Sequence, residues 1–461
     1  MDKRFCVGFD RQEITPEESI PLSGFSNEPK RYHTEIKEPI CISCVAITDC
    51  DDVTLLMISG DFMRVNDHIG EPGRKMISQA TGIPEDKIIM AATHTHAAPG
   101  LVKEDWPCMQ KYIKQLFEKL MLAVENALAD RKPATMRIGS IETQCMNFVK
   151  HYKCKVRGKN EICYLGDLFG DPENSILLEH ATQVDPTLHI LQFPRAGGKD
   201  VVIANFRAHP HFDGGSKKYV LSADYPGAFR RALEEMVDCH AIYFQGACGN
   251  VNCKSRMPSE LRHFSSQGYG LALAGYAAEC MVRHTHPVAP GPIRTKQIRV
   301  CGAINHTMDH LLEQAKEIRQ EFDTNFDLAK CIQMGKPYGI RSPYHAGAII
   351  WNHGRTDEED GWMTLNAVSI GEDYAFATFP GEMFDSVSVR MEENSPFTMT
   401  MMLGYCHHHV GYLPSAVAYK YTSYETDTTR FAPGTGEMIA DAQISMLREL
   451  KMQSDKSGVT E

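Results

Sequence analysis

Short apolar runs that stop at a turn bearing a histidine, a carboxylate or a tyrosine constrain this chain more than any other feature. Ile88–Ala92 leads into His94, His96 and the Pro99-Gly100 turn, and Val201–Phe206 leads into His209, Pro210 and His211. Ala241–Gln245 opens into Gly246, Gly249, Asn250 and Asn252, while Ala375–Phe379 opens into Pro380, Gly381 and Glu382. A last stretch, Leu403–Tyr412, carries His407, His408, His409 and Tyr412. Apolar runs this short read as buried strands rather than helices.

Further strand-like runs fall at Val53–Gly60, Thr187–Phe193 and Thr295–Asn305, and helical periodicity marks Tyr112–Asp130, Ala228–Val237, Ser259–Arg283, Met308–Cys331 and Glu437–Lys451. Strands alternating with helices predict an α/β or mixed α+β fold, with central mixed sheets flanked by helices. No internal repeat or long linker interrupts the pattern, so residues 1–452 are expected to form one domain and 453–461 a flexible tail. A sub-boundary is conceivable only at 285–294, where three prolines and a glycine follow a helical stretch.

Composition narrows the function classes. Of 461 residues, 43% are hydrophobic and the net charge is −11, with Lys and Arg never clustered beyond short pairs. A nucleic-acid surface needs a basic face, so none is expected. The first residues turn acidic where an export signal would need an apolar core, and no apolar run approaches the ~18 residues of a membrane span. Fifteen cysteines, an odd number without framework spacing, suit reduced core positions and a cytoplasmic location. Cys41 and Cys44 lie in a strand pattern that turns residues three apart to opposite sides, which argues against a metal or redox pair.

The chemistry then depends on convergence. His94-x-His96 would send its rings to opposite faces of a continuing strand, but a bend can bring both to one site. His284-Thr285-His286 repeats the spacing with no strand leading in and reads as surface. Asp224 precedes a helix and could cap it. Glu382 could favour a helix dipole, worth about 0.3–1 kcal/mol. The Gly249 turn could expose N–H groups to an oxyanion. His407 to His409 are a metal candidate by composition, although an extended triplet cannot place three rings on one ion. Open α/β sheets collect their sites at strand carboxyl ends, so His and Glu gathered there would suit Zn²⁺ with an open position.

The segments ATHTHAAPG, NFRAHP, LSADYPG, QGACGNVN, PGEMF and GYCHHHVGYLPSAVAYKYTSYE, in this order over about residues 5–436, resemble the neutral, non-lysosomal ceramidase family. The resemblance implies a mixed α/β catalytic domain holding one zinc ion. It assigns the zinc ligands to His94, His209, Glu382 and Tyr412, and places His96 beside the metal, as a general acid/base or to hold the reacting group. Asn147 and His151, in NFVKHY, more loosely resemble a substrate-reaching motif. In the family an immunoglobulin-like domain follows, for which this chain has no room after Lys451. The family's serine nucleophile also has no counterpart: Asn252 stands in its place, and Cys253 follows.

An amide cannot be activated as a hydroxyl can, so the expected chemistry is metal-activated water. In that reading His96 or Asp224 shuttles the proton, Asn252 and Gly249 stabilise the oxyanion, and Asn147, His151 and His408 touch substrate. A small polar ester, lactone or amide suits a cytosolic enzyme without a membrane-docking helix. The alternatives are an amidase acting on N-acyl lipids and a non-catalytic zinc protein. A homo-oligomer is compatible with either, and Gly-, His- and aromatic-rich residues 335–362 read as pocket or lid material or as a surface loop.

Overall fold

Cys41–Thr48 and Thr54–Gly60 are buried at nearly every position, not at alternate ones. Strands of that kind must be covered on both faces. The computed structural model, which describes residues 4–25, 31–101, 106–156, 162–166, 175–215, 218–260, 264–420 and 423–457, shows how.

Three larger sheets carry the fold. The first orders Ile88–Ala92, Thr54–Gly60, Cys41–Thr48, Phe5–Glu13 and Lys132–Ala134 side by side. The second orders Cys239–Gln245, Asp200–Phe206, Thr187–Phe193, Met136–Glu142 and His286–Val288. The third orders Ile293–Cys301, Trp362–Ile370, Tyr374–Thr378 and Met399–Leu403. Each is mainly antiparallel with one parallel pair: Thr54–Gly60 with Ile88–Ala92, Asp200–Phe206 with Cys239–Gln245, and Tyr374–Thr378 with Met399–Leu403.

The inner faces share one core, in which Phe5 and Ile89 of the first sheet meet Phe193 and Phe244 of the second and Phe376 and Met401 of the third. Each such side chain contributes about 1.5–3 kcal/mol on burial. Helices cover the outer faces. Asp67–Thr81 and Pro107–Ala129 lie over the first sheet, Asp224–Met236 and Ser266–Arg283 over the second, and Asp385–Glu393 and Thr435–Ser457 over the third. The Pro-rich stretch 285–294 takes the chain from the edge of the second sheet to the edge of the third.

The mixed α/β architecture expected from the sequence is the one observed, and the strand ranges agree within a few residues. Helix limits differ in informative ways. The expected helix over Met308–Cys331 is two, Leu312–Asn325 and Leu328–Gly335, because Phe326 takes a left-handed φ of 53° that ends the first. The helix expected from Ala228 begins at Asp224, with Pro226 tolerated in the first turn, where its missing N–H is not needed. The expected tail is helical as far as Ser457. Residues 335–362 are largely helical, through Pro343–Asn352 and Asp357–Asp360, rather than an open loop.

Candidate metal centre

One side chain from the carboxyl end of a strand in each sheet arrives at a single point. His94 follows Ile88–Ala92, His209 follows Asp200–Phe206, and Glu382 follows Tyr374–Thr378. His94 has a left-handed φ of 67°, a conformation an L-residue adopts at a cost of about 1–2 kcal/mol. That bend ends the strand and turns both rings of the His-x-His pair inward, so His96 Nε2 lies 3.2 Å from His94 Nε2. The loops are stitched together by main-chain bonds: His96 N donates to Pro210 O, and Glu382 N to Gly411 O. Glu382 and Tyr412 sit side by side as partners in a short parallel ladder.

Tautomers follow from the outer contacts. His94 Nδ1 is 2.6 Å from the Met63 carbonyl, and His209 Nδ1 is 2.6 Å from the Cys248 carbonyl. A carbonyl can only accept, so both Nδ1 atoms carry a proton and both Nε2 atoms are the ring nitrogens turned inward. Those Nε2 atoms are 3.2 Å apart, and Glu382 Oε2 lies 3.5 Å from His94 Nε2 and 3.3 Å from that of His209. Three potential donor atoms at mutual distances of 3.2–3.5 Å, all buried, need a cation or a shared proton between them. Metal–ligand bonds of ~2.0–2.1 Å in a tetrahedron give edges of ~3.3–3.4 Å. The donor set therefore fits a divalent cation such as Zn²⁺ in both chemistry and spacing.

Burial, then the Lys150 ammonium, push His209 down to about 4, and burial with His94 and His209 nearby holds His96 well below the usual imidazole range. Burial opposes ionisation of Glu382, but His94 and His209 beside it keep its carboxyl well below the ordinary value. Burial, reinforced by the Glu382 charge, holds the Tyr412 phenol well above its usual range.

Solved structures share this arrangement of sheets and helices, although by sequence the chain matches no protein-family model and no curated protein. Neutral ceramidase from Pseudomonas aeruginosa superposes with a TM-score of 0.71 at 16% identity, covering 98% of this chain and 75% of that one. A ceramidase complexed with C2 gives 0.73 at 15% identity, covering 98% and 76%. The chain has the neutral ceramidase fold. At this identity the likeness concerns the fold, and the roles of side chains rest on their own geometry.

Within that ceramidase fold the other sequence-selected residues are placed as follows. Asn252 lies next to His209 through a parallel bridge and is buried. Gly249 is committed elsewhere: its N–H donates to Met383 O at 2.9 Å, so it offers no donor to an oxyanion. Asn147 Nδ2 donates to the carbonyls of Asp185 and Arg207, bracing main chain. His151 Nε2 is 2.9 Å from Glu425 Oε2 and lines a cavity of about 280 Å³ with Asn250 and Phe384. Asp224 accepts from the N–H groups of Asp213 and Tyr225, and burial together with Asp213 raises it to about 7. Burial raises the Cys253 thiol far above its ordinary value, which removes it as a thiolate nucleophile.

The histidine triplet splits three ways. His407 is buried near Arg74, and His408 faces Asp67 and Arg430. His409 Nε2 lies 3.7 Å from Glu382 Oε1. His409, not His408, is thus the triplet's member at the cluster, a distinction no local pattern in HHH carries. Sequence reasoning also passed over Cys248, whose Sγ lies within 4.8 Å of the ring nitrogens of His94 and His209. Tyr405 was passed over too. It stacks on His94 at 4.0 Å and contacts Cys248 Sγ through its hydroxyl at 2.9 Å.

Proposed function

We propose that this chain is a zinc-dependent hydrolase of a small polar ester, lactone or amide, acting in the cytosol. The observation that carries the reading is the triangle of His94 Nε2, His209 Nε2 and Glu382 Oε2, with edges matching one tetrahedral ion. Tyr412 borders it as the fourth candidate ligand. Zn²⁺ bound there supplies Lewis acidity and acidifies water towards a pKa of about 7.

The chain's own groups do the rest. The Met63 and Cys248 carbonyls fix the orientation of the two imidazoles, with Nε2 turned to the cluster. His96, neutral and with Nε2 facing the cluster, takes and returns a proton at that atom. Asn252, bridged to His209, is assigned the hydrogen bond to the developing oxyanion. Asp224 holds the turn that begins its helix and acts by positioning. A cavity of about 280 Å³ lined by His151, Asn250 and Phe384 and one of about 230 Å³ lined by Trp351, Val410 and Gly411 lie next in sequence to Asn252, Glu382 and Tyr412 and are candidate sites for the rest of the substrate. No described helix is long and apolar enough to cross a membrane.

Cys248 supports a second reading. With His94 and His209 it could close a structural metal site that performs no reaction. Elemental analysis of the purified protein beside a His94→Ala, His209→Ala double variant tests the site. About one zinc per chain in the wild type and none in the variant is expected. A wild type that holds no metal and gains none on reconstitution overturns both readings. Hydrolysis of small esters, lactones or amides by the loaded protein separates the enzyme from the structural site.

A further inference from the structure

Arg64 follows Met63, the residue whose carbonyl fixes His94, so its backbone is anchored at the edge of the donor cluster. Its Nε is buried without a hydrogen-bond partner, and no described residue forms an ion pair with its guanidinium. Glu382, Tyr424, His409 and Arg430 are its electrostatic neighbours. A cation removed from water without a counter-charge is costly, and a second cation beside it raises that cost.

Arg430 is that second cation. Its Cζ lies 4.2 Å from the centre of the Trp351 ring, which also receives Arg355 at 3.9 Å. Arg355 is paired with Asp360, whereas Arg430 feels Asp67 and Asp360 without an ion pair to either. Arg430, Trp351, Tyr344, Val410 and Gly411 line the cavity of about 230 Å³. The Gly411 carbonyl accepts the main-chain N–H of Glu382, so this cavity shares a wall with the donor cluster.

We propose that Arg64 and Arg430 form an anion subsite, so that the substrate carries a carboxylate or phosphate at one end and the scissile bond at the other. The inference rests on the hydrolase reading for the word substrate, but the subsite stands on the buried Arg64 Nε that has no hydrogen-bond partner and on its neighbour Arg430, which lines the cavity between Trp351 and Gly411. Two forks of N–H donors match either oxyanion, and the Trp351 and Tyr344 rings supply an apolar wall for the carbon chain between the two ends.

The test uses zinc-loaded full-length protein and one scissile methyl ester in two settings: monomethyl glutarate, which keeps a free carboxylate, and dimethyl glutarate, which does not. Hydrogen bonds to a charged group predict a preference of about ten- to a hundredfold in kcat/KM for the monoester. Arg64→Gln and Arg430→Gln should each reduce that preference at least about tenfold, and Arg64→Lys should reduce it less. Calorimetric titration with glutarate and with inorganic phosphate reads the same site without turnover and shows which anion it takes. Equal rates on both esters, with anion binding absent or unchanged in the glutamine variants, overturn the subsite and leave the hydrolase reading standing. Arg64-dependent binding of either anion without turnover of either ester does the reverse. Neither turnover nor anion binding overturns both.

Discussion

A methyl group added at Gly249 should dismantle the donor cluster without touching a donor. The Cβ of Gly249→Ala would fall 2.3 Å from the Glu382 carbonyl oxygen, 2.8 Å from its carbon and 2.9 Å from Met383 O. Carbon–oxygen contacts start at about 3.3 Å, so the Glu382 segment must retreat by about 1 Å. That displacement breaks the Gly249 N–H to Met383 O bond, now 2.9 Å. It also stretches the 3.3 and 3.5 Å edges from Glu382 Oε2 towards ~4.4 Å, too long for two ligands of one zinc ion. Overpacking of about 1–3 kcal/mol and a lost hydrogen bond of about 0.5–1.5 kcal/mol add up to a destabilisation of about 1.5–4.5 kcal/mol. Zinc affinity should fall about 10- to 100-fold, as for other losses of ligand support. Competition with a chromophoric chelator and scanning calorimetry read the two effects. Gly275→Ala is the internal control, because its Cβ meets nothing within 4 Å on a helix and should stabilise by about 0.5–1 kcal/mol. A Gly249→Ala protein that binds zinc and melts like the wild type would refute the reasoning.

Three other perturbations have defined signs. Glu425, buried between Lys150 and His151 at 2.9 Å from each, is held below its ordinary value despite burial, so its pairing stabilises the fold above about pH 4.5 and fades as pH falls. Glu425→Gln should cost about 3–5 kcal/mol at neutral pH and less in acid, as measured by urea unfolding at both. Asp224 behaves oppositely: a carboxyl raised to about 7 favours the fold at low pH and opposes it increasingly as pH rises, by up to about 1.4 kcal/mol per pH unit between about 4 and 7. Asp224→Asn should flatten that part of the stability profile. Burial pushes the Cys248 thiol up to about 12, so Cys248→Ala should leave zinc stoichiometry at one if His94, His209 and Glu382 suffice, while loss of the metal would favour the structural site.

The amino-acid sequence determined the local elements and the residues able to do chemistry. Ile88–Ala92, Asp200–Phe206 and Tyr374–Thr378 are legible because mostly apolar runs of five to seven residues before a turn are too short for a typical buried helix and suit strands. The His, Glu and Tyr residues after them are visible for the same reason, since periodicity is a property of neighbours along the chain. Breaks in periodicity set by a single residue were not legible: Phe326 terminates a helix through a backbone angle that its side chain does not announce.

Tertiary structure alone decided which of those residues meet. His94 and His209 are 115 positions apart and come within 3.2 Å because three sheets pack their inner faces on one core, aiming the strand ends at one point. The same packing committed the Gly249 N–H to Met383 and turned His409 rather than His408 towards Glu382. It also left Arg64 Nε without a hydrogen-bond partner among the described residues, near Arg430. None of these facts has a local signature, because each depends on where a distant strand ends, and that is fixed by burial of the whole core.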